Sequence, residues 1–593
     1  MKIQPKDKRA LLAAALGKTG CDLAVKNAQY VNLFTGEIYP ATVFVHQGFV
    51  VHVENKNLEE GLEKAARVVD AGGRYIVPGL IDAHIHIESS MLTPPNFAAA
   101  VVPRGVTTVI TDPHEIGNVL GEEAVVYMHE AGSGLPMHQF INIPSCVPSV
   151  PGLEEGGATF DAAVIDRLAK LENVIGLAEV MDFIGVVNGE DRMMDIIETA
   201  EKNGLYLQGH LPGGFGRLVS AYYIGGPATC HETTQPGEAL DKLRAGMYVD
   251  ARDSSIAKNV ATIWADVKDL PWRDRLCLCT DDREADDILD AGQLDDVLRH
   301  IIQLGMDPLE ALRAATVHTA QAAHLENMGA VAPGYTADFL LLDDLATFKV
   351  DTVFFAGNEV AKGGKLLAEI PQRSFAIEQK NTMNVPKLSQ DDFKLRAPAG
   401  CGDSVQVNVL TYTSDTLSTT TCVTETVPVK DGFVDISADP DLFYAMIINR
   451  YGTGNYAFGL VRGFGAKRGA DGSTVSHDCH NLSIVFKDAA SGYAVYHELV
   501  GCGGGFAAAI DGKIIATLPL AVGGLMSAVG CEETAARSLA MKKALHEIGL
   551  PMENPLLRIA TLALPVIPEA KFSDLGLVDV MNKKLLPIFP GAK

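Results

Sequence analysis

Basic residues are scarce in this chain. Its 593 residues carry 49 Lys and Arg against 74 Asp and Glu, a net charge of -25 at pH 7. Such a field repels phosphate backbones and anionic lipid, so neither nucleic acid nor a membrane surface is expected as a partner. Long hydrophobic runs are missing too: no stretch reaches the roughly 18 to 20 apolar residues that a membrane-spanning helix requires. The N-terminus holds Lys2, Lys6, Lys8 and Arg9, but the apolar stretch from Ala10 to Leu16 is short for a signal sequence and Lys18 follows at once, so an ordinary first helix is expected there. Ten cysteines are few for this length, and most sit in apolar, strand-like segments. They read as reduced core thiols of a cytoplasmic protein rather than as a disulfide framework.

Several chemical signatures are absent as well. Gly501 to Gly505 lacks both G-x-G-x-x-G and a Lys-Ser/Thr ending, so it is expected to be a tight turn and not a phosphate loop. His86-Ile87-Glu88 is half of a cytidine-deaminase zinc signature, but Cys277-Leu278-Cys279 has the wrong spacing to complete it. The acidic run Asp281 to Asp287 has no EF-hand spacing.

What is present is a folded chain, 47% apolar and 21% charged, with a length that gives a prior of roughly four domains. From Asp22 to Val53 short β-rich runs alternate with turns at Thr35-Gly36 and Gln47-Gly48, and the same texture returns at Ala337 to Leu342 and Asp351 to Val360. Between them strand-like and helical stretches alternate, the mark of a parallel sheet. Eight strands are expected: 75–87, 106–111, 139–143, 174–180, 205–209, 229–231, 247–251 and 275–280. Eight such units in about 250 residues fit a (β/α)8 barrel, with the active site at the carboxyl ends of the strands. A closing helix is expected behind Asp307 as N-cap, with Pro308 at N1, Glu310 completing a capping box, and Leu309, Leu312 and Ala315 or Thr316 on the buried face. A late amphipathic helix carries Met541, Ala544, Leu545 and Ile548 and should stop at Gly549. The expected fold is thus α/β: a (β/α)8 barrel over 80–330, a discontinuous β-sandwich-like domain from 1–79 plus 331–390, and an α+β domain over 395–593.

The strongest chemical signal is VPGLIDAHIHIE, residues 77 to 88. Alternate side chains of a strand share a face, so His84 and His86 both point into the barrel mouth and can converge on one metal ion. Alone, the pair reads equally well as hydrogen-bonded core histidines. Later strands, however, end in further ligand types: Glu179 in LAEVM, His210 in QGHLPG, His231 in ATCHE, and Asp281 with Asp282 in CLCTDD. Four His and two or three carboxylates suit Mn2+, Fe2+ or Zn2+.

In these strings the sequence resembles the amidohydrolase superfamily, and HIHIESSMLTP, TTVITDPHEIGNV, GLAEVM, GHLPG, CHET, TDDR, SHDCHN and IATLALPVIP together resemble its bacterial adenine deaminase branch. The resemblance extends over nearly the whole chain and implies a metal-dependent hydrolase. Many relatives bridge two metals with a carboxylated lysine; here no lysine lies between Gly176 and Met181, which favours the deaminases over cyclic amide hydrolases. By resemblance, His84, His86 and Asp281 hold one ion, and Glu179 bridges to a second held by His210 and His231. The metal would be Mn2+ or Fe2+, with Zn2+ a third candidate, in two sites. A bound divalent ion lowers the pKa of water to about 7. The hydroxide would add to C6 of adenine, with Asp281 as proton shuttle, giving hypoxanthine and ammonia in purine salvage. Only a small-molecule partner is needed, and the resemblance implies a homodimer or larger.

Other ionisable groups cluster by position. Asp112-Pro113-His114-Glu115 reads either as a turn or as acid/base groups at the end of the second strand, with His114 and Glu115 as catalytic candidates and Asp112 as a substrate contact. Glu88 keeps the strand parity of His86. Asp282, Arg252 and, more weakly, Glu232 complete the barrel candidates for substrate contact. In the last third, SHDCHN offers His477 and His480, to orient the substrate, to hold another metal from a domain covering the barrel mouth, or as part of a polar turn; Cys479 stands where the family usually has Ser. The competing readings are the same machinery acting on another aminopurine or a cyclic amide, and a noncatalytic metal-binding scaffold.

Overall fold

The computed structural model describes residues 1–414, 419–567 and 569–591, which leaves Pro568, the last residue of IATLALPVIP, outside. Eight parallel strands form its centre: β1 (Leu80–Ile85), β2 (Val106–Thr111), β3 (His138–Pro144), β4 (Val174–Val180), β5 (Tyr206–Gly209), β6 (Thr229–Cys230), β7 (Tyr248–Arg252) and β8 (Leu276–Cys279). They are hydrogen-bonded in two runs, β1 through β5 and β6 through β8. The runs meet at both edges. Ala228 N–H donates to Leu207 O at 2.9 Å on one side, and Asp281 N–H donates to His84 O at 2.9 Å on the other. The β1/β8 seam is therefore stitched by the residues expected to bind metal. These strands are buried almost throughout, as parallel strands covered on both faces must be.

The run 75–87, expected as one strand, is two. Tyr75–Pro78 pairs with Cys21–Asn32 and, antiparallel, with Phe339–Leu342, whereas Leu80–Ile85 opens the barrel. Gly79 makes the switch, and a Cβ there would stand 2.1 Å from Thr107 Oγ1, so no other residue fits without displacing the second strand. Strands from before and after the barrel thus lie in one nine-stranded sheet.

A second nine-stranded sheet fills much of the last third, running from Phe433–Val434 at one edge to Lys513–Pro519 at the other, flanked by helices Ala489–Cys502 and Cys531–Ile548. The latter buries Met541, Ala544, Leu545 and Ile548 and ends at Gly549 with φ +118°. Gly501 and Cys502 still belong to the preceding helix, the turn proper is made by Gly503 and Gly504, and Gly505, also at positive φ, opens the strand Gly505–Ile510. This part of the chain lies against the barrel: Lys542 contacts Glu284 and Asp286 at 2.6 Å each, and Ser527 N–H donates to Met91 O at 2.8 Å.

The helix Pro308–Ala314 starts at Asp307, whose carboxylate caps Leu309 and Glu310 N–H. The expected capping box does not form, because Arg273 takes the Glu310 carboxylate. A bidentate guanidinium is the stronger partner for a carboxylate than a single backbone N–H.

Candidate metal centre

The alternation of β1 sends Asp82 and His84 to one face, and His86 follows at the same parity just beyond the strand. Asp82 accepts hydrogen bonds from Thr280 Oγ1 at 2.5 Å and Gln293 Nε2 at 2.6 Å, which locks the first strand to the eighth. His84 Nδ1 donates to Gln208 Oε1 at 2.8 Å; the amide is fixed in this sense because Gln208 Nε2 donates to Ala83 O and Oε1 also accepts from Asn142. His86 Nδ1 donates to Asp112 O at 2.8 Å. With both Nδ1 atoms used as donors, the two Nε2 atoms face each other 3.1 Å apart.

Two imidazole lone pairs cannot meet at that distance unless a positive charge lies with them. Burial works against a charged His86, yet the Glu179 hydrogen bond and the carboxylates of Asp282 and Asp112 raise its pKa well above the ordinary value. The cluster calls for a cation, and its donors suit a divalent metal. Asp281 Oδ1 is 3.2 Å from His86 Nε2 and 3.5 Å from His84 Nε2, and Glu179 Oε1 is 3.5 Å from His86 Nε2. The other Glu179 oxygen meets His210 Nδ1 at 2.5 Å and His231 Nε2 at 2.9 Å. Three overlapping groups, His84/His231/Asp281, His84/His86/Glu179 and Glu179/His210/His231, each bring their ligand atoms within 4.8 Å of one another. All six residues expected as ligands are brought together, with Glu179 between the two halves.

The imidazoles divide electrostatically: against the pull of burial, Glu179 raises His210, as it does His86, whereas His231 goes the other way. Burial pushes His231 down to about 3, reinforced by His84, so its ring is neutral. Burial alone would raise Glu179, but His231 and His210 hold it well below the usual carboxylate range. Arg252 pairs with Asp281 Oδ2 and, at 2.5 Å, with Glu232. Its terminal nitrogens are taken by those carboxylates, while Nε is buried without a hydrogen-bond partner.

Beside this cluster lies a chamber whose polar lining is Glu88, Ser89, Asp282, Glu284 and His477 and whose apolar residues include Met91, Phe506, Leu556 and Leu557. Ser89 Oγ is 2.7 Å from Glu115 Oε1 and 2.6 Å from Asp282 Oδ1. Burial, then the charge of Glu115, pushes Glu88 up to about 8. His114 Nδ1 is 3.1 Å from Asp112 Oδ2; burial would lower this imidazole, but Asp112 and Asp478 outweigh it and raise it to about 10. His477 Nδ1 approaches Glu115 Oε1 at 3.8 Å. His480 does not line the chamber: it is fully buried, with Nδ1 accepting from Ser476 N–H at 3.3 Å.

Asp82, Gln208 and Asn142 escaped the sequence reading. For the first two a signal existed, since each precedes a candidate histidine by two residues and so shares its face of the strand. Asn142 had none.

The amidohydrolase family matches residues 75–360 of this chain, and the adenine deaminase C-terminal domain matches 418–584. The chain is 38% identical over 589 residues to the adenine deaminase of Moorella thermoacetica, covering 98% of both proteins. It is 36% identical to that of Kosmotoga olearia, with 98% of this chain and 99% of the relative covered, and 37% identical to that of Geobacillus kaustophilus, with 97% and 98% covered.

Proposed function

Because the chain belongs to the adenine deaminase family, we propose that it hydrolyses adenine to hypoxanthine and ammonia at a centre for two divalent metal ions. The observation that carries this reading is the pair of imidazole Nε2 atoms 3.1 Å apart, with both Nδ1 atoms already spent, inside a cage of carboxylates. His84, His86 and Asp281 would hold one ion and His210 and His231 the other, with Glu179 between them. Mn2+ or Fe2+ is the expected metal, with Zn2+ the third candidate. Bound there, such ions supply the Lewis acidity that brings water toward ionisation at neutral pH.

The chain's own groups manage substrate and protons. Adenine C6 is a poor electrophile and ammonia a poor leaving group, so a proton has to leave the attacking water and reach the departing amine. Asp281 performs both transfers: Oδ1 faces the histidines while Arg252 neutralises Oδ2 and fixes the carboxylate's orientation. The adjacent chamber receives the base, its apolar wall against the ring face and Glu88, Ser89, Asp282 and His477 along the polar edge. Glu115 and His114 extend that polar edge as proton donors and acceptors, and Asp112 orients His86 and His114. The uncharged base needs no basic surface, consistent with a net charge of -25. The same reading places the reaction in purine salvage, in the cytoplasm, where ten unpaired cysteines would remain reduced, and in a homodimer or larger assembly.

The test is ammonia release from adenine, guanine and dihydrouracil by protein reloaded with Mn(II) or Fe(II). Release from adenine, abolished by a chelator and lowered about 100- to 10,000-fold in Asp281→Asn, is expected. Release only from guanine or dihydrouracil would move the assignment to another aminopurine or to a cyclic amide. No release from any of them, despite bound metal, would make the protein a scaffold.

A further inference from the structure

Glu238 and Lys242 stand four residues apart on the short helix Glu238–Ala245, a spacing that ordinarily marks a solvated charge pair on a helix surface. Here both side chains are 0% exposed. The ammonium sits at the carboxyl ends of β5 and β6. Its three protons have three close oxygen acceptors: Leu211 O at 2.7 Å, Glu232 O at 2.7 Å and Glu238 Oε1 at 2.8 Å. Thr233 Oγ1 at 3.0 Å and Cys230 Sγ at 3.2 Å complete its surroundings. Leu211 follows His210 and Glu232 follows His231, so one cation grips the carbonyl next to each histidine. Glu238 extends the grip, with Oε2 accepting from Thr234 and Gln235 N–H at 3.0 Å each and Oε1 from Gly214 N–H at 3.3 Å.

The two histidines lack the hydrogen bond on a second ring nitrogen that holds His84 and His86, although the His231 ring stacks on His84 at 4.1 Å. His231 Nδ1 is buried without a hydrogen-bond partner, and His210 turns Nδ1 toward Glu179 itself. Their placement therefore depends on the backbone, and at the residue after each histidine that backbone is fixed by Lys242. A neutral side chain would leave the Leu211 and Glu232 carbonyls with only the weak Cys230 thiol donor, at 3.8 and 3.4 Å, and the Glu238 charge without its counter-ion, an arrangement that relaxes by moving the loops apart.

We propose that Lys242, seated by Glu238, is a positioning residue that sets the distance between His210 and His231 and so creates the second metal site, without touching metal or substrate. The proposal rests on the reading above that these histidines ligate a cation, but not on adenine being the substrate. The test is metal content rather than turnover. Lys242→Met alone strands the Glu238 charge in the core and destabilises the fold, so Lys242→Met/Glu238→Gln, which removes both charges, is prepared beside it. Full-length wild type and double variant are loaded with Mn(II), desalted, and assayed for Mn per chain, for the electron paramagnetic resonance of a spin-coupled Mn pair, and for thermal melting.

The expected result is a double variant that melts cooperatively, keeps one Mn(II) per chain, loses the coupled signal, and binds a second equivalent about 10- to 100-fold more weakly than wild type. A folded double variant with two Mn(II) and the coupled signal intact overturns the proposal. So does one that loses both ions, since the effect would then not be local to this half. A wild type that holds a single Mn(II), with the variant the same, overturns it as well. Failure of the adenine reading would show separately, as a metal-loaded wild type that releases no ammonia.

Discussion

The two halves of the metal centre are built to different plans. On the β1/β8 side the imidazoles are held through their own second nitrogens, His84 by Gln208 and His86 by the Asp112 carbonyl, both at 2.8 Å. On the β5/β6 side neither ring has such a second-nitrogen anchor, His231 being held by stacking on His84 at 4.1 Å, and the backbone is held instead. His210 N–H donates to the Tyr222 hydroxyl at 2.9 Å, His231 O accepts from Asn259 Nδ2 at 2.9 Å, and Lys242 takes the next carbonyl after each. Ring anchoring fixes both tautomer and orientation. Backbone anchoring fixes only where the ring begins, so the second half is expected to be the softer and the weaker in affinity.

Removing the group that joins the halves should have the largest effect. Glu179 reaches His86 with one oxygen and His210 and His231 with the other. Glu179→Ala is expected to weaken binding of the second metal equivalent by more than about 100-fold, beyond what outer partners of a metal ligand usually contribute. Metal analysis after desalting checks this. If both equivalents stay bound, Glu179 does not bridge.

Next in size is loss of the ring anchor. Gln208→Leu leaves His84 Nδ1 without an acceptor and frees the ring to adopt the wrong tautomer. Affinity for the first equivalent should fall about 10- to 100-fold while the second half is affected less. Mn(II) titration of this variant beside the Lys242→Met/Glu238→Gln variant compares the halves directly: each should weaken a different equivalent.

The asymmetry also sets what the sequence could reveal. Strand parity finds His84 and His86 because two residues of spacing put both side chains on one face, and the ends of later strands supply the remaining ligands. The same parity reaches Gln208, two residues before His210. It cannot reach Lys242, whose spacing from Glu238 is that of countless surface pairs; only the packing of its helix against the loops after β5 and β6 turns that pair inward. The split at Gly79 and the failed capping box at Glu310 were hidden for a related reason. Local sequence describes the residue, whereas Thr107 at one site and Arg273 at the other come from distant parts of the chain. The barrel was more legible, because eight alternations of strand and helix repeat one local pattern.

A smaller effect is expected at the chamber. Glu88 sits at about 8, raised first by burial and then by Glu115, so at pH 7 it is a neutral acid. Its proton leaves as pH rises through 8, and the rate on adenine should decline there. Glu88→Gln keeps the neutral shape and should flatten that alkaline limb by a few fold, seen in kcat/KM from pH 6 to 9.5. The sign for stability follows from the same shift. The carboxyl ionises near 4.5 in the unfolded chain and near 8 when folded, so its contribution is fully present below 4.5 and is lost as pH rises through 8. Wild type should therefore melt lower at pH 9 than at pH 6, with the difference reduced in Glu88→Gln.

The smallest effect isolates what burial adds to a charge pair. Asp166 and Lys170 have the same four-residue spacing as Glu238 and Lys242, at 3.2 Å, but their side chains are 52% and 63% exposed. Lys170 also donates to Asn203 Oδ1 at 2.6 Å on the surface. Water screens the pair and solvates either partner when the other is removed, so Lys170→Met should leave the melting temperature almost unchanged and both metal equivalents in place. Thermal melting and metal content on one preparation measure both. A loss of metal here would mean that any helix charge in the barrel perturbs the centre, and the distinction between a side chain that decorates the barrel and one that positions its ligands would fall with it.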